Sequence, residues 1–300
     1  MLKIAFDPLY VHPLPVGHRF PMLKYELIPE QLIYEGVVEP KNFFKPQQIE
    51  EQYIILAHKP SYWWKLKTLS LSSKEARRTG FLLTEQLIKR ELSIVQGTIE
   101  ASNFALQNGI AFNVAGGTHH AGSDWGEGFC LLNDQAIGAH YLLKQKKAKK
   151  ILIVDLDVHQ GNGTAEIFEN ENSVFTFSMH SQRNFPFRKQ KSDLDIGLSD
   201  DMKDDAYLDI LRKHIPPIIN RVKPDFIFYQ AGVDVLATDK LGWLSLTKMG
   251  CKLRDEIVFE YCKQFSLPVQ VSMGGGYSSL IRDIVDAHCN TFKAAIDKLF

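Results

Sequence analysis

The stretch ILIVDLDVHQGNGT, residues 151–164, shows the pattern on which the whole chain is organised. Its first four residues, Ile151–Val154, form a short branched apolar run of the kind found in buried strands, and ionisable residues follow at once. Three further runs have the same form, with glycine, aspartate or histidine directly after the apolar residues. They are Ile110–Val114 before AGGTHH, Phe226–Tyr229 before QAGVD, and Pro268–Val271 before SMGGGY.

Segments with helical spacing separate these runs, and this alternation predicts an α/β fold with a parallel sheet and helices on both faces. Val174–Phe177 and Leu2–Phe6 are further strand candidates. Residues 74–108 are predicted to form one or two helices that end at Gly109. Other helices are predicted at Asn133–Lys147, Ala206–Val222 and Leu246–Gln264, and Pro8–Pro21 is predicted to be an ordered loop.

Composition limits the class of protein. The 300 residues are 45% hydrophobic, which suits one large globular domain over residues 1–300. Lys+Arg and Asp+Glu both number 35, and this balance counts against a nucleic-acid-binding protein. No apolar run reaches the roughly 18 residues of a membrane span, so no membrane partner is expected. No signal peptide precedes the first strand candidate, and the four scattered cysteines suit reduced thiols, so a cytoplasmic location is expected.

Asp155, Asp157 and His159 extend an apolar strand. Residues at i, i+2 and i+4 of a strand share one face, so two carboxylates and an imidazole lie side by side next to a hydrophobic core. A divalent metal would offset the repulsion and desolvation of such a group. The alternative is a salt-bridged strand end with a surface histidine.

Asp234 ends the FIFYQAGVD segment and is a candidate third ligand beside Asp157 and His159. One histidine and two aspartates leave coordination positions for water, as in catalytic zinc sites. Zn²⁺ suits this ligand set, and Fe²⁺ or Mn²⁺ is possible on ligand type alone. The alternative reading of Asp234 is a helix N-cap.

Two further motifs carry groups suited to acid–base chemistry. The adjacent His119 and His120 follow a glycine pair and could exchange protons or bind metal; alternatively they are polar loop residues. Tyr277 follows three glycines and could donate a hydrogen bond to an oxyanion. The alternative for that loop is a phosphate cradle or a plain turn.

Taken together, these segments resemble the histone deacetylase superfamily over roughly residues 5–290. The resemblance implies the arginase/deacetylase fold: three α/β/α layers around a mostly parallel sheet of about eight strands. The motifs that carry it are GGTHHA (116–121), GFCLLND (128–134), DLDVHQGNGT (155–164), AGVD (231–234) and GGGY (274–277).

The resemblance also implies roles for individual residues. Asp157, His159 and Asp234 would bind the catalytic metal, usually zinc, and His120 would be the general base and acid. Asp155 would orient His119, and Tyr277 would polarise the scissile carbonyl. Parts of the acyl channel and site wall are implied at Gly128, Phe129, Gly275 and Gly276. A structural K⁺ is implied near Asp155, Asp157, His159, Ser178 and Met179.

Asn162 departs from the class I pattern of this superfamily, in which an aspartate pairs with the second histidine. A neutral amide stabilises an imidazolium less than a carboxylate does, so the pKa of His120 is expected to be less elevated. The sequence HQGNG and the early segment HPLPVGHRFPMLKY (12–25) favour a class IV-like deacetylase.

The implied function is a metal-dependent amidohydrolase that removes an acetyl or longer acyl group from acylated lysine or a related amine. Water loses a proton to a histidine and attacks the amide carbonyl, while the metal and Tyr277 stabilise the oxyanion. Three alternatives stay open at this point. They are a deacylase of small acylated amines or polyamines, a non-catalytic module that binds acylated ligands, and an arginase-type binuclear hydrolase.

Overall fold

A computed structural model describes residues 1–299 of the chain. The strands are β1 (Lys3–Ala5), β2 (Phe43–Phe44), β3 (Ile110–Asn113), β4 (Ile151–Asp155), β5 (Val174–Ser181), β6 (Leu194–Leu198), β7 (Phe226–Gln230) and β8 (Val269–Ser272). The helices are α1 (Lys24–Tyr34), α2 (Glu51–Ala57), α3 (Pro60–Lys67), α4 (Ser73–Thr79), α5 (Glu85–Asn108), α6 (Asp134–Lys144), α7 (Asn162–Phe168), α8 (Asp204–Val222), α9 (Lys248–Gln264) and α10 (Ile281–Leu299).

The strands form one sheet in the order β2-β1-β3-β8-β7-β4-β5-β6. All neighbouring strands are parallel; for example, Ile151 of β4 lies opposite Val174 of β5 on one side and Phe226 of β7 on the other. The predicted parallel α/β sheet and its strand number are therefore confirmed.

Helices cover the sheet because its central strands are apolar on both faces. All five residues of β4 and all five of β7 are buried, so neither face of these strands can be left to solvent. The helices pack in two groups, α5 with α6 and α2, and α9 with α8 and α10, and α1 packs on α10. This arrangement gives the three-layer α/β/α architecture.

Local signals explain the helix boundaries between residues 72 and 109. Ser72 accepts a hydrogen bond from the backbone of Glu75, and the Glu75 carboxylate accepts one from the Ser72 backbone, which makes a capping box for α4. The side chain of Thr84 caps α5, which ends at Gly109 with a φ of +87°. This region therefore forms two helices.

The sequence patterns did not predict every element. Strand β6 was missed because only its last residue, Leu198, is buried, so no continuous apolar run marks this edge strand. Strand β2 has only two residues. Residues 8–21 contain a 3-10 turn at Pro8–Tyr10 and otherwise form the predicted loop. The helices α1, α2, α3, α7 and α10 were also not predicted.

Two further properties of residues 1–299 bear on the sequence expectations. All four cysteines are free and buried. Of the helices in this part of the chain, none combines the length and apolar character that crossing a membrane requires.

The strand order brings distant motifs together. The four runs followed by glycine, aspartate or histidine correspond to β3, β8, β7 and β4, which are consecutive in the sheet. Because parallel strands end at the same edge, the polar residues that follow all four converge there.

Arg254 fastens the extensions of two of these strands. Its guanidinium is fully buried and donates to the carbonyl oxygens of Leu156, after β4, and Gly232, after β7, at 3.1 and 2.5 Å. The neighbouring Asp255 balances its charge, with Nε and Oδ1 2.8 Å apart. The Tyr229 hydroxyl donates to the same carboxylate.

Replacing Arg254 should therefore destabilise the fold. Arg254→Met leaves Asp255 as an uncompensated buried charge and removes the donor to two carbonyls, so the free energy of unfolding should fall by about 3–5 kcal/mol. Urea denaturation measures this change. Arg212→Met on α8 removes a half-exposed ion pair with Asp209 and should cost less than about 1 kcal/mol. Equal losses in the two variants would contradict this role.

Candidate active site

One cluster of polar side chains, all buried except the partly buried Tyr277, lies at the carboxyl edge of the sheet. Each member stands at or after the end of one of the four consecutive strands. The members are His119 and His120 after β3, Asp155, Asp157 and His159 at and after β4, Asp234 after β7, and Tyr277 after β8.

Three of these side chains form a candidate metal site. His159 Nδ1 lies 3.1 Å from Asp157 Oδ1 and 3.1 Å from Asp234 Oδ2, and all three residues are buried. In a tetrahedral site with metal–ligand distances of about 2.0–2.1 Å, ligand atoms are roughly 3.3 Å apart. The three donor atoms therefore have the spacing and the chemistry that a divalent cation requires.

The pKa shifts of the trio also favour a bound cation. Burial, and after it the charge of Asp157, raise the pKa of Asp234 to about 7. Burial lowers the pKa of His159, but hydrogen bonds to Asp157 and Asp234 outweigh burial and raise that pKa to about 10. The two carboxylates thus draw a positive charge to the point between them, which is where a bound cation would lie.

Backbone groups fix the two carboxylates. Asp157 Oδ2 accepts from the N–H of Gly275 at 2.9 Å, and Asp234 Oδ1 accepts from the N–H of Val158 at 3.0 Å. Each carboxylate therefore has one oxygen bound to a distant backbone N–H and the other turned toward His159, whose own backbone N–H also donates to Asp157 Oδ1. Any side chain at Gly275 would overlap the Asp234 carboxylate, so glycine is required at this position.

His119 and His120 have different partners and different charge states. His119 Nδ1 lies 2.7 Å from Asp155 Oδ2. Burial lowers the pKa of His119, but Asp155 and Asp157 outweigh burial and raise it to about 9. Burial, and after it the charges of His119 and His159, hold the pKa of His120 well below its ordinary value.

The partner of His120 is Asn162, at the start of α7. His120 Nδ1 and Asn162 Oδ1 are 2.7 Å apart. The Asn162 amide in turn donates to Glu127 Oε1 at 2.5 Å, and Arg78 Nε donates to Glu127 Oε2 at 2.6 Å. His120 is therefore the first member of a chain of four polar side chains.

Tyr277 closes the cluster from the glycine loop after β8. Its ring packs 5.9 Å from Phe129 and 6.4 Å from the His159 ring. Burial, with the charges of Asp234 and Asp157, raises the pKa of Tyr277 well above its ordinary value. Its hydroxyl therefore keeps its proton and can donate a hydrogen bond.

Two cavities that share lining residues reach the cluster. The outer cavity, about 390 Å³, is lined by His120, Gly128, Phe129, His159 and Tyr277 among others. The inner one, about 30 Å³, continues past the same residues toward Gly275 and Arg90. Gly128 has a φ of +56°, and a Cβ there would lie 2.8 Å from the His120 ring, so this wall also requires glycine. A depression of about 780 Å³ between α1 and α10 contains no residue of the cluster.

The structure rules out two of the local alternatives. Asp234 does not cap a helix, because its carboxylate contacts Val158 and His159 instead. His119 and His120 are not surface loop residues, since each is about 95% buried. Within residues 1–299 the Asp157–His159–Asp234 trio is the one group able to hold a metal, and Asp155 is paired with His119. A binuclear arginase-type site is therefore disfavoured.

Sequence reasoning missed two buried charges beside the cluster. Glu127 directly precedes Gly128 of the expected acyl channel, and nothing in its spacing signals its bond to Asn162. Lys24 at the start of α1 is fully buried and donates to the carbonyl of Gly274 at 2.8 Å. Burial lowers the pKa of Lys24 to about 8. A lysine inside an apolar segment is a weak signal for such a role.

The fold and this cluster define an α/β protein with a candidate mononuclear metal centre. A family model for the histone deacetylase domain matches residues 18–292, and the chain belongs to that family. Membership of this family supports the assignment of the chain as a hydrolase of the deacetylase type.

Several known proteins are similar over most of the chain. An uncharacterized protein of Picosynechococcus sp. is 44% identical over 294 residues, 98% of either chain. Histone deacetylase 2 of Arabidopsis thaliana is 28% identical over 90% of this chain and 72% of that protein. The acetoin utilization protein AcuC of Staphylococcus aureus is 27% identical over 94% of this chain and 78% of its own length. The solved HDA15 HD domain shares the fold, with a TM-score of 0.84 at 22% identity, covering 99% of this chain and 88% of that one.

Metal binding should stabilise the folded chain through the trio. At a free Zn²⁺ concentration about 1,000-fold above Kd, the gain in free energy of unfolding should be roughly 4 kcal/mol, seen as a rise in Tm of the metal-stripped protein. His159→Ala should abolish both this rise and stoichiometric zinc binding measured by elemental analysis. Asp209→Asn, at an exposed position on α8, should retain both. Full zinc binding by His159→Ala would place the metal elsewhere.

Proposed function

We propose that this chain is a metal-dependent amidohydrolase that removes an acetyl or longer acyl group from an acylated lysine side chain. The observation that carries the proposal is the convergence of three side chains able to hold a metal, two histidines and a tyrosine at one place, where all of them except Asp234 line the same small cavity. Residues 1–300 are proposed to form a single catalytic domain, and a cytoplasmic location stays a prediction.

The metal ligands are proposed to be Asp157, His159 and Asp234. A divalent cation held there would act as a Lewis acid that polarises the amide carbonyl. It would also lower the pKa of a water molecule, so that the water can lose a proton and attack the carbonyl carbon. Zn²⁺ is the proposed ion, and Fe²⁺ also fits one nitrogen and two oxygen ligands. A structural K⁺ is proposed near Asp155 and Ser178, which lie opposite each other in β4 and β5.

The two histidines are proposed to have different roles in the reaction. His120, whose Nδ1 is occupied by Asn162, would take the proton of the attacking water and return it to the departing amine. His119 is held by Asp155 with its Nε2 3.9 Å from Asp157 Oδ1, so it would stabilise negative charge beside the metal ligands. Asp155 and Asn162 would orient the rings rather than react.

Tyr277 is proposed to bind the oxyanion. Its hydroxyl keeps its proton, and its ring lies between Phe129 and His159, so it can donate to an oxygen that develops negative charge near the trio. Gly128 and Phe129 would form the channel for the acyl-lysine stem, and Gly275 and Gly276 would form the inner wall.

The inner cavity bears on the acyl group. Its volume of about 30 Å³ leaves space for about two groups the size of a water molecule. This size suits an acetyl group better than a long acyl chain. A polyamine deacylase would need an acidic group to bind a second amine. Glu127 is the one carboxylate lining the outer cavity, and Arg78 and Asn162 already occupy it. A non-catalytic binding module would not need the paired histidines and the tyrosine.

Hydrolysis of an acyl-lysine peptide panel, from acetyl to myristoyl, tests this function with zinc-loaded protein. Turnover should be abolished by a chelator, should be fastest for acetyl, and should fall about 10²–10³-fold in Tyr277→Phe, because one oxyanion donor is lost. The matched control is Tyr34→Phe, at an 87% exposed position on α1, which should leave turnover unchanged.

Three results would count against the proposal. Chelator-resistant turnover would exclude the metal-dependent chemistry, and an unchanged rate in Tyr277→Phe would remove Tyr277 from the reaction. Absence of turnover on every acyl-lysine peptide, despite one bound metal per chain, would favour the non-catalytic binding module.

A further inference from the structure

The rim of the outer cavity carries a concentration of positive charge. We call this rim the mouth; it consists of Arg19, Arg77, Arg78, Lys240, Phe187 and Trp243. The mouth has four basic side chains, and Glu127 is the one carboxylate that lines the cavity below it. The chain as a whole has 35 basic and 35 acidic residues, so this concentration of positive charge is local.

Contacts with neighbouring groups hold two of these cations at the mouth. The Arg19 guanidinium lies 5.5 Å from the centre of the Phe129 ring, and the Arg78 guanidinium lies 5.5 Å from the Trp125 ring. Arg78 also donates to Glu127. Arg19, Arg77 and Lys240 form no ion pair with any residue of 1–299. Their positive charges are therefore unpaired and lie at the opening of the outer cavity. A concave site lined by charges of one sign concentrates the electrostatic field in its opening.

We propose that the mouth recognises acidic side chains that flank the acylated lysine of a peptide or protein substrate. This inference rests on the proposed function. The acylated lysine itself is neutral, so the charge of the flanking residues sets the electrostatic contribution to binding. The exposed rings of Phe187 and Trp243 offer apolar contact to the peptide on either side. Lysine- and arginine-rich segments and acylated polyamines are repelled by the same charge.

The test compares acetyl-lysine peptides that are identical except for Asp/Glu or Lys/Arg at the flanking positions, together with an acetylated polyamine. The acidic peptide should have a kcat/KM at least about tenfold higher than the basic one at low salt, and the polyamine should be poorest. The difference should shrink at 1 M salt, where the screening length is about 3 Å. Arg77→Glu/Lys240→Glu should abolish or reverse the preference. Lys213→Glu, on α8, changes charge away from the mouth and should retain it.

Binding measurements separate this inference from the proposed function. Fluorescence anisotropy of the same peptides needs no turnover. Preferential binding of the acidic peptide, lost in Arg77→Glu/Lys240→Glu, would support the mouth even if no peptide were hydrolysed. Equal or better binding of the basic peptide, or a preference that survives the double substitution, would overturn it even if hydrolysis were efficient.

A second inference concerns Glu127 and stands on a different observation, the chain His120–Asn162–Glu127–Arg78. An ionised carboxylate only accepts hydrogen bonds, so the Asn162 group that faces Glu127 must be its NH₂. The amide oxygen of Asn162 then faces His120 Nδ1, which must carry a hydrogen. The neutral imidazole is left with its lone pair on Nε2.

We infer that Glu127 is a positioning residue that selects the tautomer of His120 through the orientation of Asn162. A carboxylate at position 162 would select this tautomer by itself, whereas an amide can present either face. Arg78 Nε donates to Glu127 Oε2 at 2.6 Å and fixes the orientation of the carboxylate. Glu127 thereby fixes which side of the Asn162 amide, its oxygen or its NH₂, faces His120.

A double-mutant cycle tests this role. In Glu127→Gln the new side chain accepts from Arg78 and turns its NH₂ to Asn162, so the Asn162 amide reverses and favours the wrong tautomer. The kcat should fall at least about tenfold with little change in KM, because an imidazole in the wrong tautomer is a poor base. Asn162→Asp places two carboxylates in contact and should also lose activity. The double variant Glu127→Gln/Asn162→Asp should recover to within about threefold of the wild type.

The outcomes are distinct. A structural role for Glu127 predicts that the two losses add in the double variant, which would overturn the inference. Nitrogen chemical shifts of histidine give a second readout that needs no activity. His120 should carry its hydrogen on Nδ1 in the wild type and on Nε2 in Glu127→Gln. An unchanged tautomer would likewise exclude the role, whether or not the chain hydrolyses acyl-lysine.

Discussion

The structure depends on the confinement of two like-charged carboxylates beside one imidazole in a buried site. Asp157 and Asp234 each use one oxygen for a backbone N–H and turn the other toward His159. Without a cation these groups repel one another, and the pKa of Asp234 rises to about 7 as burial and Asp157 oppose its charge. The surrounding protein holds the arrangement in place. Arg254 fastens the extensions of β4 and β7, and Gly275 leaves room for the Asp234 carboxylate.

The residues of the candidate metal site could be predicted from sequence because the patterns that mark them are local. Alternation along the apolar run predicts that Asp155, Asp157 and His159 lie together, and four apolar runs followed by polar residues predict a shared sheet edge. The residues do converge, although β4 ends at Asp155, so Asp157 and His159 lie in the segment after the strand. What the sequence could not provide is the order of the strands. The position of β8 between β3 and β7, which brings Tyr277 to the metal trio, follows from packing between segments far apart in the chain.

Residues that act through others were the least predictable. Glu127 contacts Asn162 across 35 positions, and Arg78 contacts Glu127 across 49, so no short-range pattern connects them. The mouth is similar, since Arg19, Arg77 and Lys240 come from three separate loops and helix ends and acquire meaning only around a cavity. Asn162 itself was recognisable as a departure from the class I pattern. The structure adds that the Glu127 carboxylate lies on the far side of the amide and accepts its NH₂.

The central claim is that one divalent cation, held by Asp157, His159 and Asp234, makes this chain an acyl-lysine hydrolase. Titrating Zn²⁺ into the metal-stripped protein while following hydrolysis of an acetyl-lysine peptide tests it most directly. The account predicts that the rate rises from near zero and reaches a plateau at one equivalent of metal per chain. A rate that is already maximal without metal, or no hydrolysis after one equivalent has bound, would contradict it.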